Sequence, residues 1–241
     1  MIGLIGGYGI EKLLERAEQA KAECIFDREA VKEFVYYKGS ISGKAAIIIP
    51  RHGKGHELPP HRIPYRSYIA TLKELGAERI ITINSAGILK GNYRVNSFFL
   101  PKDFINFAPE ITFFERFEVK AVHTPMGEPY DKKTGAIIER VAKGLGLRVY
   151  SNVVYVNVRG PRLETKAEIR LYAGFGDIIG MTNAYEVILA NEKGIPISTI
   201  CLGVNYAEGL GESVSMERVK AGIERMKKDL FRLLEGVIEE L

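Results

Sequence analysis

Residues 150–186 read YSNVVYVNVRGPRLETKAEIRLYAGFGDIIGMTNAYE. The β-branched and aromatic run at 153–158 predicts a buried strand. Gly160-Pro161 ends it, because that pair suits a sharp turn and cannot extend a ladder. A helix is expected next, with Glu164 in its first turn and Ala167, Ile169, Leu171 and Tyr172 on its apolar side. A second short strand at Ile178 and Ile179 runs into Gly180-Met181-Thr182-Asn183, and a further helix is expected over 186–193. Two strands thus each end in a polar turn that feeds a helix. In an α/β sheet such carboxyl ends gather on one side, where ligands sit.

Outward from this stretch the alternation continues. Residues 1–22 read as strand, glycine turn (Gly6, Gly7, Tyr8, Gly9) and a helix through Leu13, Leu14 and Ala17. Such a turn either cradles an anion on its backbone N–H groups or is purely structural. A dinucleotide fingerprint fails here, since position 12 is Lys where a third glycine is required. This weighs against a nucleotide-dependent dehydrogenase. Strands are expected at 34–38 and 45–50 as a hairpin through Gly39 and Gly43, and the second ends in Arg51-His52-Gly53-Lys54-Gly55-His56. Arg51 offers a rigid fork of donors for phosphate oxygens, and His52 adds another. His52, His56 and His61 fall within ten residues; a polar active-site loop, a metal site and a solvated loop are all open readings. A helix at 67–75 stops at Gly76. A strand at 79–84 is expected to turn at Asn84-Ser85, a polar pair that either caps the turn or faces a ligand. An irregular segment spans 95–130, and Phe113, Phe114 and Phe117 in it read as core or subunit contact. A helix follows at 132–144, a strand at 197–204 stopping at Asn205-Tyr206-Ala207, and an amphipathic helix over 214–241. No linker or repeat interrupts the chain, so residues 1–241 read as a single α/β domain.

Composition narrows the class. Hydrophobic residues are 46% of the 241, enough for a full core. Charged residues are 27% in mixed sign with a net charge of +4, which argues against a nucleic-acid protein built on a basic face. No apolar run approaches the ~18 residues of a membrane span, and MIGLIGG opens directly on a strand, so neither membrane nor leader is expected. Cys24 and Cys201 sit in apolar surroundings and read as reduced core residues of a cytoplasmic protein. No cysteine–histidine metal spacing occurs.

GPRLETKAEI followed by GMTNAYEVILA resembles the trimeric purine nucleoside phosphorylase and methylthioadenosine phosphorylase family, because two separate motifs occur in order at the family's separation. Arg51-His52-Gly53 is similar to its phosphate turn, 100–107 to its Pro-x-Asp-x-Ile strand, and Val122-His123-Thr124-Pro125-Met126 to its H-x-P-M segment. The resemblance implies a mixed central β-sheet flanked by helices and an enzyme, a glycosyltransferase (pentosyltransferase). It implies phosphorolysis of purine nucleosides with inorganic phosphate as co-substrate and no cofactor. A homotrimer or dimer of trimers is the implied assembly. The implied phosphate set is Tyr8, Arg51, His52, Asn84, Ser85 and Thr182; Tyr8 stands where the family carries Ser or Thr. Base and ribose fall to Glu164, Met181, Asn205, Tyr206 and Ala207, with Asn205 and His52 as the catalytic pair. His123, Met216 and Val219 mark the 5′ end. Pro64, Asn183, Tyr185 and Lys220 also depart from the family pattern.

Base identity follows from polarity. A 6-oxopurine offers an N1–H donor and an O6 acceptor, and adenine offers the reverse. A Glu164 carboxylate accepts from N1–H, and an Asn205 amide donates to N7 or O6. The adenosine-type branch carries Ser and Asp-Tyr-Asp at these places, so inosine, guanosine and 5′-methylthioinosine are the expected substrates in purine salvage. A 5′-methylthioadenosine phosphorylase and a non-catalytic nucleoside-binding protein are the alternatives.

Overall fold

A computed structural model describes all 241 residues except 16, 30, 118 and 119. Among the described residues nine strands form one mixed sheet: β1 (Ile2–Gly6), β2 (Glu18–Glu23), β3 (Glu33–Ile41), β4 (Lys44–Pro50), β5 (Arg79–Ile88), β6 (Ser97–Asn106), β7 (Val149–Asn157), β8 (Ile178–Gly180) and β9 (Ile197–Tyr206). Their order is β2-β3-β4-β1-β5-β8-β7-β6-β9, and β9 also pairs with β5. The last five strands therefore close into a ring, and β1, β4, β3 and β2 extend from it as a fin. β1, β4, β5 and β9 are parallel, so their carboxyl ends share one side.

Six α-helices among the described residues pack on it: α1 (Glu11–Leu14), α2 (Tyr65–Glu74), α3 (Lys132–Gly144), α4 (Lys166–Tyr172), α5 (Asn183–Glu192) and α6 (Met216–Glu240). Period-two alternation sorts the strands between two layers. Leu4, Ala46 and Ile48 face the layer with α3 and α6, where Ile138, Ile223, Leu230 and Leu234 are buried. Ile5, Ile47 and Ile49 face α2 and α5, beside Ile69, Leu72, Val187 and Leu189. A third cluster, Ile88, Phe99, Val153, Tyr155 and Cys201, groups residues of the ring strands. Cys24 and Cys201 are buried free thiols; burial pushes both up, Cys24 to about 11.

Several expected boundaries move. The helix through Leu13, Leu14 and Ala17 is one turn, Glu11–Leu14, with position 16 outside the described residues. Glu18–Glu23 is a strand instead, because it pairs antiparallel along β3, and this partner is invisible to local pattern. β5 does not turn at Asn84-Ser85 but runs on to Ile88, held by β9 on one side and β8 at its end. β9 likewise carries Asn205 and Tyr206 within the strand. α4 begins at Lys166, not Glu164: Thr165 is its N-cap, in a reciprocal capping box with Glu168. α5 starts three residues early, at Asn183. No helix among the described residues is long and apolar enough to cross a membrane.

Candidate active site

A cleft of about 410 Å³ opens at the carboxyl ends of β1, β4 and β9. It is lined by the glycine turn (Gly7, Tyr8), the loop after β4 (Arg51, His52, His56 to Pro60), β5 (Ser85, Ala86, Gly87), the turn before α4 (Pro161, Leu163, Glu164), the end of β8 (Gly180, Met181, Thr182), β9 and its exit (Asn205, Ala207, Glu208), and the start of α6 (Met216, Val219).

At its floor Arg51 is 2% exposed and Glu186, from α5, 1%. The two form a bidentate pair, Nε to Oε1 at 2.5 Å and Nη2 to Oε2 at 3.1 Å. Arg51 also donates through Nη1 to the Ile83 carbonyl and through Nη2 to the Ile5 carbonyl. Of five guanidinium N–H groups, one on Nη1 remains. Burial works against both charges. On Arg51 it is outweighed by Glu186, whose charge holds the guanidinium above its ordinary range; on Glu186 burial prevails against Arg51 and Asn84, and the carboxyl is raised. Asn84, 2% exposed, donates from Nδ2 to Thr182 Oγ1 at 2.9 Å and to Glu186 Oε2 at 3.4 Å. Thr182 is the N-cap position of α5 yet makes no side-chain cap bond. Its hydroxyl accepts from Asn84 and keeps its own hydrogen, at a helix N-terminus that favours anions.

Above this floor three rings are piled. Tyr8 stacks on His56 at 3.7 Å, and His56 on His52 at 4.2 Å. The Lys220 ammonium lies 5.3 Å from the Tyr8 ring. His52 Nδ1 is 2.7 Å from the Leu58 carbonyl, which only accepts, so Nδ1 carries the hydrogen. Burial, then the Arg51 charge, lower His52 to about 3, and burial followed by Lys220 and Arg51 lowers His56. His52 is thus a neutral ring with a lone pair on Nε2. The expected donor role reverses for that nitrogen, because Leu58 has claimed the hydrogen.

The same cleft carries Glu164, Met181 and Asn205. Glu164 stands just ahead of the Thr165 cap, half-buried, and burial raises its carboxyl above the usual range. Asn205 Nδ2 donates to the Tyr206 carbonyl at 2.8 Å, which leaves one N–H and Oδ1 for a ligand. Met181 lies so close to Gly160 that a Cβ there would sit 2.3 Å from its sulfur; Gly160 also has φ +60°. Only glycine combines that backbone with that approach.

A family model described as the phosphorylase superfamily matches residues 1–239. The chain belongs to the phosphorylase superfamily. It is accordingly an enzyme, a pentosyltransferase that moves a sugar to phosphate. The probable S-methyl-5′-thioinosine phosphorylase of Methanocaldococcus jannaschii is 36% identical over 99% of this chain and 92% of its own length. The S-methyl-5′-thioadenosine phosphorylase of Pyrococcus horikoshii is 38% identical over 99% and 93%. Among solved structures, the methylthioadenosine phosphorylase of Schistosoma mansoni in complex with adenine superposes with a TM-score of 0.87 at 25% identity, covering 98% of this chain and 90% of that one.

The phosphorylase cleft gathers Tyr8, Arg51, His52, Ser85, Glu164, Met181, Thr182, Asn205, Ala207, Met216 and Val219. Three expected residues fall outside its lining. Asn84 lies behind Thr182. Tyr206 turns its hydroxyl to the Tyr93 carbonyl at 2.6 Å. His123 is exposed and meets the edge of Phe117 at 5.9 Å, away from this chain's cleft. Ser85 belongs to a continuing strand, so no turn presents its amide. Glu186 is the residue that sequence reading passed over. Its signal was an acid directly ahead of the apolar run VILA of α5, which at a buried position demands a cationic partner. Among the described residues no three His, Cys, Asp or Glu side chains converge as a metal site.

Proposed function

We propose that this phosphorylase cleaves 6-oxopurine nucleosides (inosine, guanosine and 5′-methylthioinosine) to the free base and the (5-methylthio)ribose 1-phosphate. The observation that carries this reading is the presence of Glu164 and Asn205 in one cleft that also holds Arg51 and Thr182. Bond cleavage at the anomeric carbon leaves positive charge on the sugar and negative charge on the base. The last Arg51 N–H and the Thr182 hydroxyl hold the phosphate, Met181 packs on the ribose, and the free Asn205 N–H meets purine N7 as its charge grows. Glu164 accepts from N1–H. No cofactor takes part.

The apolar wall of Met216 and Val219 suits a methylthio group at the 5′ end, which matches the thioinosine name of the Methanocaldococcus relative. A second reading, 5′-methylthioadenosine phosphorolysis, is favoured by the raised Glu164 carboxyl: once protonated it donates toward adenine N1. Initial rates with inosine, guanosine, adenosine and their 5′-methylthio forms, with and without phosphate, separate the two. Cleavage of adenine nucleosides alone would refute the first reading, and cleavage without phosphate would refute both.

A homotrimer or dimer of trimers in the cytoplasm completes the proposal. Support for assembly comes from Phe107, Leu171 and Phe175 around α4, large apolar side chains left exposed in a single chain. Light scattering on the purified chain measures the mass directly, and a monomer would refute it.

A further inference from the structure

Asn205 sits where its strand is least held. The β5–β9 ladder shifts register between Ala86 and Gly87: Ala86 faces Gly203 and Gly87 faces Asn205, so Val204 is an extra residue without a partner in β5. A bulge of this kind re-aims the side chain that follows it. Two paired residues come after it, Asn205 and Tyr206, and they end the strand. On its other side β9 pairs with β6 through Cys201, Leu202 and Gly203, short of both.

An asparagine amide carries a donor end and an acceptor end of almost the same shape. Turned over, Asn205 would set Oδ1 against purine N7, lone pair against lone pair. The Tyr206 carbonyl, 2.8 Å from Nδ2, decides the orientation: a carbonyl accepts and cannot donate, so the NH2 end must face it. The place of that carbonyl depends in turn on the Tyr206 side chain, whose hydroxyl donates to the Tyr93 carbonyl at 2.6 Å. Tyr93 is itself fixed. Its hydroxyl donates to Asp177 Oδ1 at 3.1 Å, and its ring meets Phe99 edge-on at 5.3 Å and Tyr150 at 4.7 Å. Asp177, 8% exposed, is held by the Lys90 ammonium at 3.0 Å and by the Val154 N–H at 2.8 Å. The series Tyr206, Tyr93, Asp177 thus ties the end of β9 to β7 across the ring of strands.

We propose that Tyr206 is a positioning residue for bond cleavage: anchored by its hydroxyl to Tyr93, it holds the carbonyl that keeps the Asn205 N–H, and not the Asn205 oxygen, turned toward the leaving base. This role rests on the phosphorolytic reading, in which Asn205 meets purine N7. Charge reaches N7 as the bond breaks, so the loss of Tyr206 should appear in the rate of cleavage and leave nucleoside KM nearly unchanged.

The test is a double-mutant cycle on the full chain. Single-turnover rates of 5′-methylthioinosine cleavage at saturating phosphate are measured for the parent, Tyr206→Phe, Asn205→Ala and the two combined. Tyr206→Phe, which removes one hydroxyl, should slow cleavage about 3- to 10-fold, the effect of one hydrogen bond, with KM within about twofold. Asn205→Ala should slow it further. In the Asn205→Ala background Tyr206→Phe should change nothing more, because its effect passes through the amide already removed. A residue that merely stabilises the strand would slow both backgrounds alike, and equal losses would overturn the proposal; so would Tyr206→Phe at the parent's rate. Should Tyr206→Phe not fold, Tyr93→Phe, which cuts the next link at Asp177, takes its place in the cycle. Asn205→Ala at the parent's rate would refute the part given to Asn205 in the functional reading, and the role of Tyr206 with it, whereas equal losses in the two backgrounds leave the part of Asn205 standing.

Discussion

Replacing Glu186 by Gln removes a charge and almost no volume. In the folded chain it would strand the Arg51 guanidinium, 2% exposed, with two carbonyls and no counter-charge. Breaking a buried pair from one side costs about 3–5 kcal/mol. For a chain of this size each kcal/mol lowers Tm by about 2–4 °C, so Glu186→Gln should melt about 6–20 °C below the parent. Phosphate should then act as the replacement anion. In calorimetric melts, saturating phosphate should raise the variant's Tm by more than it raises the parent's, because only the variant gains the missing charge. The double variant Arg51→Met with Glu186→Leu should recover much of the stability, since an apolar pair of similar volume carries no desolvation penalty, yet it should lose phosphorolysis. A single variant that melts within about 2 °C of the parent would refute the reasoning, since no buried charge would have been exposed as unpaired. A double variant as unstable as the single one would refute it too.

Other consequences are as direct. Glu164 has a folded-state pKa raised by burial, so its carboxylate form is lost as pH falls through that raised value. KM for inosine should therefore climb on acidification while activity on adenosine analogues improves, and Glu164→Gln should flatten both profiles; the same raised value means that this group favours folding at low pH and ceases to do so as pH rises through it. Gly160→Ala should cost about 1–2 kcal/mol from its left-handed backbone alone, and by displacing Met181 it should raise nucleoside KM more than phosphate KM in initial-rate assays. Val219→Ala removes two methyl groups from the 5′ wall, so methylthio substrates should lose about 1–2 kcal/mol in kcat/KM, roughly 5- to 30-fold, with 5′-hydroxyl substrates much less affected.

The sequence was most legible where one segment decides its own conformation. The strand ahead of Gly160-Pro161, the exact span of α3, and the amphipathic tail that became α6 all follow from spacing and punctuation within ten or twenty residues. Legibility failed where a distant partner decides. Glu18–Glu23 has no strand pattern of its own and exists because β3 offers a ladder. Asn84-Ser85 and Asn205-Tyr206 looked like turns because polar residues end apolar runs, but β5 and β9 pair with each other through both sites, with one register shift at Ala86/Gly87. The same long-range pairing explains the cleft. Most motif positions fell into it together, with Asn84, Tyr206 and His123 outside, yet their hydrogen-bond states were not readable: that Arg51 is held by Glu186, that His52 gives its hydrogen to Leu58, and that Asn205 gives one to Tyr206 are all contacts set by tertiary geometry.

Closure of five strands into a ring leaves the sheet, among the described residues, with a single open border, the outer side of β2. That strand reads EQAKAE, with Glu18, Lys21 and Glu23 along it and most of its residues exposed. A border of alternating charge next to small alanines is a poor template for another chain's backbone. Copies of this protein are thereby steered away from strand-by-strand growth, and fibrillar aggregation at high concentration should begin only after the fin itself has opened.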